Sequence, residues 1–232
     1  MTVNEIIENW VNLIPNTFKI QSITDNGDNT STLYTCNTAW ALINHSLTID
    51  NISYTILEVD RDVSIKIEGV PTVLEFTLDI PFFAYGTPRA VNTERQYIRE
   101  NGTTVTPMIY LFASIEENVN HDPTSNTDKT INFLISFLND YQENQFTDDI
   151  IDYSVKAMRK LSDAFINTMK SQIMEVKAET LTQRTTEYPK YAQTFTKSGG
   201  TNNIFSENLS GVENNLTISL KKQNNCVNLC NS

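Results

Sequence analysis

Histidine is the side chain best suited to general-base catalysis at neutral pH, and the chain contains two, His45 and His121. His45 precedes a predicted strand, whereas His121 lies in a polar stretch that predicts a loop. The sequence holds no Gly-x-Ser-x-Gly elbow, phosphate-binding loop or dinucleotide fingerprint. We therefore interpret both residues as surface histidines, and we predict no catalytic residue.

Carboxylate pairs could also do acid–base chemistry, but each pair here has a structural interpretation. Asp60 and Asp62 flank an arginine in a predicted turn. Glu116-Glu117 begins a predicted loop, and Asp148-Asp149 follows Thr147 where a helix is predicted to start. An enzyme that uses the last two pairs is kept only as a remote alternative.

Two stretches could be mistaken for metal sites. An EF-hand needs Gly at its sixth position and Glu at its twelfth, but in Asp25-Asn26-Gly27-Asp28-Asn29 the glycine is third and the twelfth residue is Cys36. Cys226 and Cys230 lack a second Cys/His pair that could complete a zinc shell. We predict a hairpin turn, three free thiols, no metal and no cofactor.

Composition and charge limit the partners. The 232 residues include 27 Asn and 29 Thr, and 17 basic against 28 acidic side chains give a formal net charge of −11. A protein that wraps nucleic acid needs a basic footprint, and the only basic clusters are pairs such as Arg159-Lys160 and Lys221-Lys222. We therefore do not expect specific DNA binding, although an acidic surface could line a conduit to which DNA does not adhere.

Localisation signals are few. The first five residues are polar and acidic, which predicts no signal peptide. No stretch reaches 18 consecutive apolar residues, so we predict no membrane partner. We expect synthesis in the cytoplasm with reduced cysteines.

Residues 1–80 are predicted to form a helix followed by short strands. Apolar residues in Val3–Ile14 repeat at helical spacing up to Pro15, and Asn26-Gly27 joins two strand-like runs, 17–24 and 30–36. From residue 47 to residue 80 the period is two, with predicted strands at 47–49, 54–59, 63–67 and 73–80. This spacing favours a β-meander or a small barrel.

Residues 81–196 change to an α/β pattern. Thr87 and Pro88 mark a helix start and Asn101-Gly102 its end, while 108–115 and 130–138 predict buried strands. A helix is predicted from Thr147, with one apolar stripe that Ser162 interrupts: Ile151, Val155, Met158, Phe165, Met169, Ile173 and Val176. Residues 180–196 predict one or two strands.

The fold class predicted from these elements is α+β, with a mixed or antiparallel sheet flanked by helices and a meander or small-barrel portion. Residues 81–196 and 1–80 are expected to form one compact unit. Residues 197–232 contain nine of the 27 Asn, and they predict an extended C-terminal arm with a strand at 216–220.

The order of these elements resembles a family of structural proteins. The strings Pro81-Phe-Phe-Ala-Tyr-Gly-Thr-Pro-Arg-Ala-Val-Asn92, Pro107-Met-Ile-Tyr-Leu-Phe112 and Ala157-Met-Arg-Lys-Leu161 are similar to neck and tail proteins of crAss-like tailed bacteriophages. The resemblance covers roughly residues 1–195 and carries over no functional residue. It implies a fold like that of tail terminators and head–tail connectors.

The resemblance implies a non-enzymatic ring component of the virion neck or tail. Copies would form a homo-oligomeric ring, contact portal, connector and tail ring proteins, and let genomic DNA pass through the channel. The alternative is a fibre or adhesin-type binding module, which an exposed aromatic cluster would favour. Phe82, Phe83 and Tyr85 form the only dense aromatic group, and we expect them to enter the core at a sheet edge.

Overall fold

A computed structural model describes residues 2–102, 105–121, 127–141, 145–176, 178–195, 201–205 and 208–221. The chain is an α+β protein, which confirms the predicted class: it has two main sheets, of which one curls into a half-barrel, and helices that pack on them. The α-helices are Val3–Asn12 (α1), Pro88–Glu100 (α2), Thr147–Ile150 (α3) and Lys156–Val176 (α4).

The first sheet contains the short strands of the N-terminal portion, all of them antiparallel to their neighbours. They are Thr17–Lys19 (β1), Ser22–Asp25 (β2), Thr30–Tyr34 (β3), Ser46–Ile49 (β4), Ile52–Asp60 (β5), Ser64–Glu68 (β6) and Glu75–Leu78 (β7). Their order is β1-β7-β4-β5-β6-β3-β2. The predicted Asn26-Gly27 hairpin is confirmed, since β2 pairs with β3 around it. The run 17–24 is not one strand, because buried Ile20 breaks it and its amide donates to the Leu74 carbonyl.

The second sheet is larger and mixed. Its strands are Phe82–Gly86 (β8), Met108–Phe112 (β9), Glu116–Val119 (β10), Thr127–Asp140 (β11), Ala178–Tyr191 (β12) and Leu209–Lys221 (β15). The order is β12-β15-β11-β9-β8, and β10 also pairs with β11. Only the β8–β9 pair is parallel. Two short strands, Gln193–Phe195 (β13) and Thr201–Asn203 (β14), form a separate pair.

The C-terminal segment requires a correction. Residues 209–221 were expected within an extended arm, but β15 lies in the interior of the second sheet, between β11 and β12. One face of β15 alternates buried residues that pack into the core, namely Val212, Asn214, Leu216 and Ile218. A polar sequence is sufficient for this position because two neighbouring strands satisfy the backbone of β15 on both sides. Residues 222–232, with Cys226 and Cys230, lie outside the described residues.

The helix predicted from Thr147 is confirmed, with an irregular first part. α3 continues through a π-helical turn, Ile151–Val155, into α4. Its N-cap is Phe146, and Asp148 and Asp149 lie in the first turn, where their charges favour the positive end of the helix. The stripe faces the core through Val155, Met158, Phe165 and Met169. The side chains of Ile173 and Val176 lie outside the described part.

Two hydrophobic clusters hold these elements together. The larger one joins α1, α4, the inner face of the first sheet and one face of the second sheet, and so it spans residues of both predicted portions. The smaller one lies on the other face of the second sheet, under α2. Thr87 caps α2 by accepting from the Ala90 amide, with Pro88 in the first turn, as predicted. None of the helices in the described ranges is long and apolar enough to cross a membrane.

Candidate functional site

The acidic stretch of residues 25–29 forms the predicted hairpin turn. Asp25 Oδ1 accepts from the Gly27 amide at 2.8 Å, and Asp28 Oδ1 accepts from the Thr30 amide at 3.1 Å. The hydrogen bonds from Thr30 lower the pKa of Asp28. These carboxylates therefore fold the loop back on itself, as Asx residues do in turns.

The pair Asp60 and Asp62 lies at the β5–β6 turn, and its members point to different partners. Asp62 Oδ2 accepts from Lys160 Nζ at 2.6 Å, and its backbone amide donates to Thr38 Oγ1 at 3.1 Å. Burial alone would raise the pKa of Asp62, but the hydrogen bonds from Lys160 and from the Thr38 amide lower it. Asp62 thus connects the β5–β6 turn of the first sheet to α4 through Lys160. Asp60 lines a cleft between the two sheets.

That cleft consists of two adjoining cavities, of about 810 Å³ and about 230 Å³, which share His45 in their walls. The histidine, expected at the surface, is half-buried. Burial lowers its pKa, while the charges of Asp140 and Asp79 oppose that shift. Burial in the cleft therefore favours the neutral form of His45.

Arg61 and Tyr153 close one side of the larger cavity. Arg61 Nη2 donates to the Tyr153 carbonyl at 3.0 Å, and the Tyr153 hydroxyl donates to the Ile43 carbonyl at 2.9 Å. Burial lowers the pKa of Arg61 to about 10 and raises that of Tyr153 to about 12. These two hydrogen bonds therefore connect the β5–β6 turn and the segment before β4 to the π-helical turn.

The charges along the cleft are mainly negative. Carboxylates outnumber the cationic groups Arg61 and Lys156, and they are Asp60, Asp79, Asp140, Asp149 and Asp152. Thr106 donates to Asp140 at 2.9 Å, and Lys156 pairs with Asp152. Within the described ranges, no hydroxyl or thiol hydrogen-bonds to the His45 ring, and no three His, Cys, Asp or Glu residues are grouped as metal ligands. The described part of the cleft is therefore an acidic surface in which no hydroxyl or thiol is paired with His45 as a nucleophile.

Glu116 and Glu117 lie in a strand rather than at the start of a loop, which corrects that expectation. They begin β10, which follows β9 along the same side of β11 and places Glu117 opposite Ile131. All four residues of β10 are exposed, and Glu117 forms an ion pair with Lys129. His121 is exposed just beyond this strand.

The opposite side of the same sheet ends in β12, a strand of 14 residues that pairs with β15 on one side. No other strand of the described chain pairs with β12. Its residues from 180 to 187 are mostly exposed, and they include Thr180, Thr182, Thr185 and Thr186. Among the described residues, therefore, no strand pairs with the outer side of β12 or with the outer side of β10.

The aromatic cluster is split between core and surface. Phe82 packs against the smaller hydrophobic cluster and Phe83 against the larger one. Tyr85 is 42% exposed. We expected all three aromatic residues to enter the core at a sheet edge. The two phenylalanines pack against the core from β8, the end strand of the sheet, but for Tyr85 the expectation is wrong because its side chain is exposed. Cys36 is a free, exposed thiol.

Two features of these surfaces were missed in the sequence. The acidic β10 was hidden in a polar stretch, although Glu116–Val119 follows β9 closely enough to continue it. The length of β12 was signalled by the β-branched run Thr180, Thr182, Thr185 and Thr186.

Comparison of the chain with known protein families, curated proteins and solved structures finds no match.

Proposed function

We propose that this chain is a non-enzymatic structural protein of the neck or tail of a tailed bacteriophage. Copies form a ring between portal and tail, contact the ring proteins above and below, and line the channel through which DNA passes. The protein is made in the cytoplasm of the bacterial host and resides in the virion. The observation that carries this proposal is that no strand in the described part of the chain covers the outer side of β12 or of β10.

A ring needs two different and complementary patches on each subunit. β12 and β10 are such patches, because they lie on opposite sides of the second sheet and differ in length and charge. Sheet edges join readily by backbone hydrogen bonds. A strand on each side allows every copy to contact the next one in the same way.

The net charge of −11 suits the proposed channel. Duplex DNA is a dense polyanion, so an acidic wall repels it at short range and does not retain it. A fibre or adhesin-type module has less support, because the two phenylalanines of the aromatic cluster are half-buried and pack against the hydrophobic clusters.

The experiment is to measure the mass of the purified chain by light scattering and to image it by negative-stain electron microscopy. We expect one discrete oligomer with cyclic symmetry and a central channel. A monomer at every concentration tested, or a dimer with two-fold symmetry, would contradict the ring. A channel with a basic inner wall would contradict the role in DNA passage.

A further inference from the structure

Within the described ranges, the outer edge of β12 has no partner strand over a defined length. Residues from Thr180 to Glu187 pair without interruption with β15, and register irregularities lie just before Thr180 and just after Tyr188. Pro189, which cannot donate a backbone hydrogen bond, lies in the second irregular part. The eight residues between have neither a proline nor a bulge to protect the edge. They contain one basic side chain, the exposed Arg184, which belongs to no ion pair in the described chain.

The β10 edge is shorter and acidic. Val119 is 54% exposed, and the Glu116 carboxylate forms no ion pair in the described chain, whereas Glu117 pairs with Lys129. β8, which flanks β9, ends at Gly86 opposite Phe112, so the outer side of β10 is not covered by that strand. An incoming strand would therefore lie beside β10, in line with the end of β8.

Strand direction is compatible with this contact. β12 is antiparallel to β15, β15 is antiparallel to β11, and β11 is antiparallel to β10. β12 thus runs opposite to β10 in the sheet. When copies repeat around an axis along the strands, β12 of one copy meets β10 of the next as an antiparallel pair, which is the more stable arrangement.

The faces of the sheet fix which side chains can meet. Arg184 pairs with Asn215, which pairs with Leu134, and Glu116 pairs with Asn132. Because Asn132 and Leu134 are two residues apart, Arg184 and Glu116 project from the same face. Leu181 pairs with Ile218, which pairs with Ile131, and Val119 pairs with Lys129. Because Lys129 and Ile131 are two residues apart, Leu181 and Val119 both project from the opposite face.

We propose that residues 181–184 of one copy pair antiparallel with residues 116–119 of the next copy, with Arg184 opposite Glu116. This register also brings Leu181 opposite Val119 and Thr182 opposite Asn118. A shift of two residues in one direction places Leu181 against Glu117 and loses the Arg184–Glu116 pair; a shift in the other direction pairs Arg184 with Asn118. The proposal rests on the ring function proposed above, and it names the surface that closes the ring.

The end of β8 limits the length of this pairing. Leu111 and Glu116 are five residues apart but pair with Ile135 and Asn132, which are three apart, so the chain between β9 and β10 does not follow β11 residue by residue. β8 flanks β9 up to Gly86, opposite Phe112. The proposed contact is therefore confined to the four residues of β10.

Charge exchange tests the contact. Arg184→Glu and Glu116→Arg should each raise the concentration for half-assembly, measured by light scattering, by about fivefold or more, because each places like charges opposite one another. The double variant should restore assembly. Lys190→Glu, an exposed charge change in β12 beyond Pro189, is the matched control and should have little effect. Single variants that assemble like the unaltered chain would overturn the register.

Disulfide trapping provides a second readout in a background with Cys36, Cys226 and Cys230 replaced by serine. Thr182→Cys and Asn118→Cys, on separate chains, should form a mixed disulfide, because directly opposed residues have Cβ atoms about 4.5–5.5 Å apart. Gln183→Cys, whose side chain leaves the other face, should not react with Asn118→Cys. Cross-linking of two Thr182→Cys chains to each other in place of the mixed product would overturn the proposal in favour of a two-fold contact.

The two levels of the hypothesis fail differently. A ring in electron micrographs without the mixed disulfide would overturn the strand pairing and leave the ring function standing. The mixed disulfide in open filaments, without closed rings, would support the pairing and contradict the ring function. If neither the mixed disulfide nor an oligomer forms, even at the highest concentration reached, the proposed pairing is overturned.

Discussion

Asn214 and Ser162 form a hydrogen bond inside the hydrophobic interface between β15 and α4, with Asn214 Nδ2 donating to Ser162 Oγ at 2.7 Å. Both residues are fully buried or nearly so, at 0% and 1% exposure. Asn214 Oδ1 accepts from Thr185 on the neighbouring strand β12 at 2.8 Å. A polar link thus runs from the helix through the central strand to the edge strand, and it fixes how the helix lies on the sheet.

We expect Ser162→Ala to destabilise the fold by about 1–3 kcal/mol, because it leaves the buried Asn214 amide without its acceptor. Urea unfolding followed by circular dichroism measures the loss. Ser171→Ala, on the same helix where the hydroxyl donates to the Thr168 carbonyl at 2.7 Å, is the control and should cost less. An equal loss in both variants would mean that the link to Asn214 has no special role.

Gly211 is expected to be irreplaceable. A Cβ added there would lie 1.9 Å from the Phe137 carbonyl oxygen, so β15 and β11 would have to separate. Gly211→Ala should cost about 3 kcal/mol or more or prevent folding. Gly27→Ala is the matched control, because nothing lies within 4 Å of its added Cβ and only its positive φ of 78° is unfavourable. That variant should lose about 1 kcal/mol, as measured by thermal and urea unfolding, and similar losses at the two positions would contradict this prediction.

The stability of the chain should depend on the protonation of His45. Burial lowers its pKa in the folded state below the usual 6.5. Above that value both states are neutral and pH has no effect through this residue. As pH falls below about 6.5 the unfolded chain binds a proton that the folded chain does not, so the free energy of unfolding decreases. Unfolding measured between about pH 7.5 and about pH 5 should show this decrease.

The assignment of that decrease to His45 can be tested by substitution. His45→Gln should flatten the pH dependence over the same range, because it removes the titrating group from the cleft. His121→Gln, at an exposed position, is the matched control and should leave the dependence as it is. A pH profile unchanged by His45→Gln would show that other groups cause the decrease.

The chain should not retain duplex DNA. At a net charge of −11 its phosphate contacts are opposed by repulsion, so we expect no shift of duplex DNA in gel electrophoresis at physiological salt. Lowering the salt should not produce binding, since screening then decreases and repulsion grows. Tight binding that weakens with added salt would contradict an acidic channel wall.

The local pattern of the sequence was enough for several elements. Helical spacing with Pro15 after it predicted α1, Thr87 with Pro88 predicted the start of α2, and Asn26-Gly27 predicted the β2–β3 hairpin. Each of these depends on interactions within a few residues, which a sequence displays directly. The apolar stripe of the long helix and its gap at Ser162 were equally visible, but the buried hydrogen bond of Ser162 with Asn214 was not predicted.

Long-range pairing was not visible in the sequence. β15 is polar and rich in asparagine, yet it is an interior strand, because β11 and β12 satisfy its backbone and Gly211 permits the close approach of Phe137. His45 lies in a cleft only because the two sheets and the π-helical turn meet there.

The sequence by itself determined the α+β class, the helix starts, the hairpin and the acidic charge, since these follow from neighbouring residues and from composition. Only the tertiary structure decided which strands are interior, which are open edges, and which face each side chain occupies. Those properties depend on contacts between residues far apart in the chain, such as the strand pairs Arg184 with Asn215 and Leu134 with Asn215. They arise when the whole sheet forms, because an edge is defined only by the strands that are absent beside it.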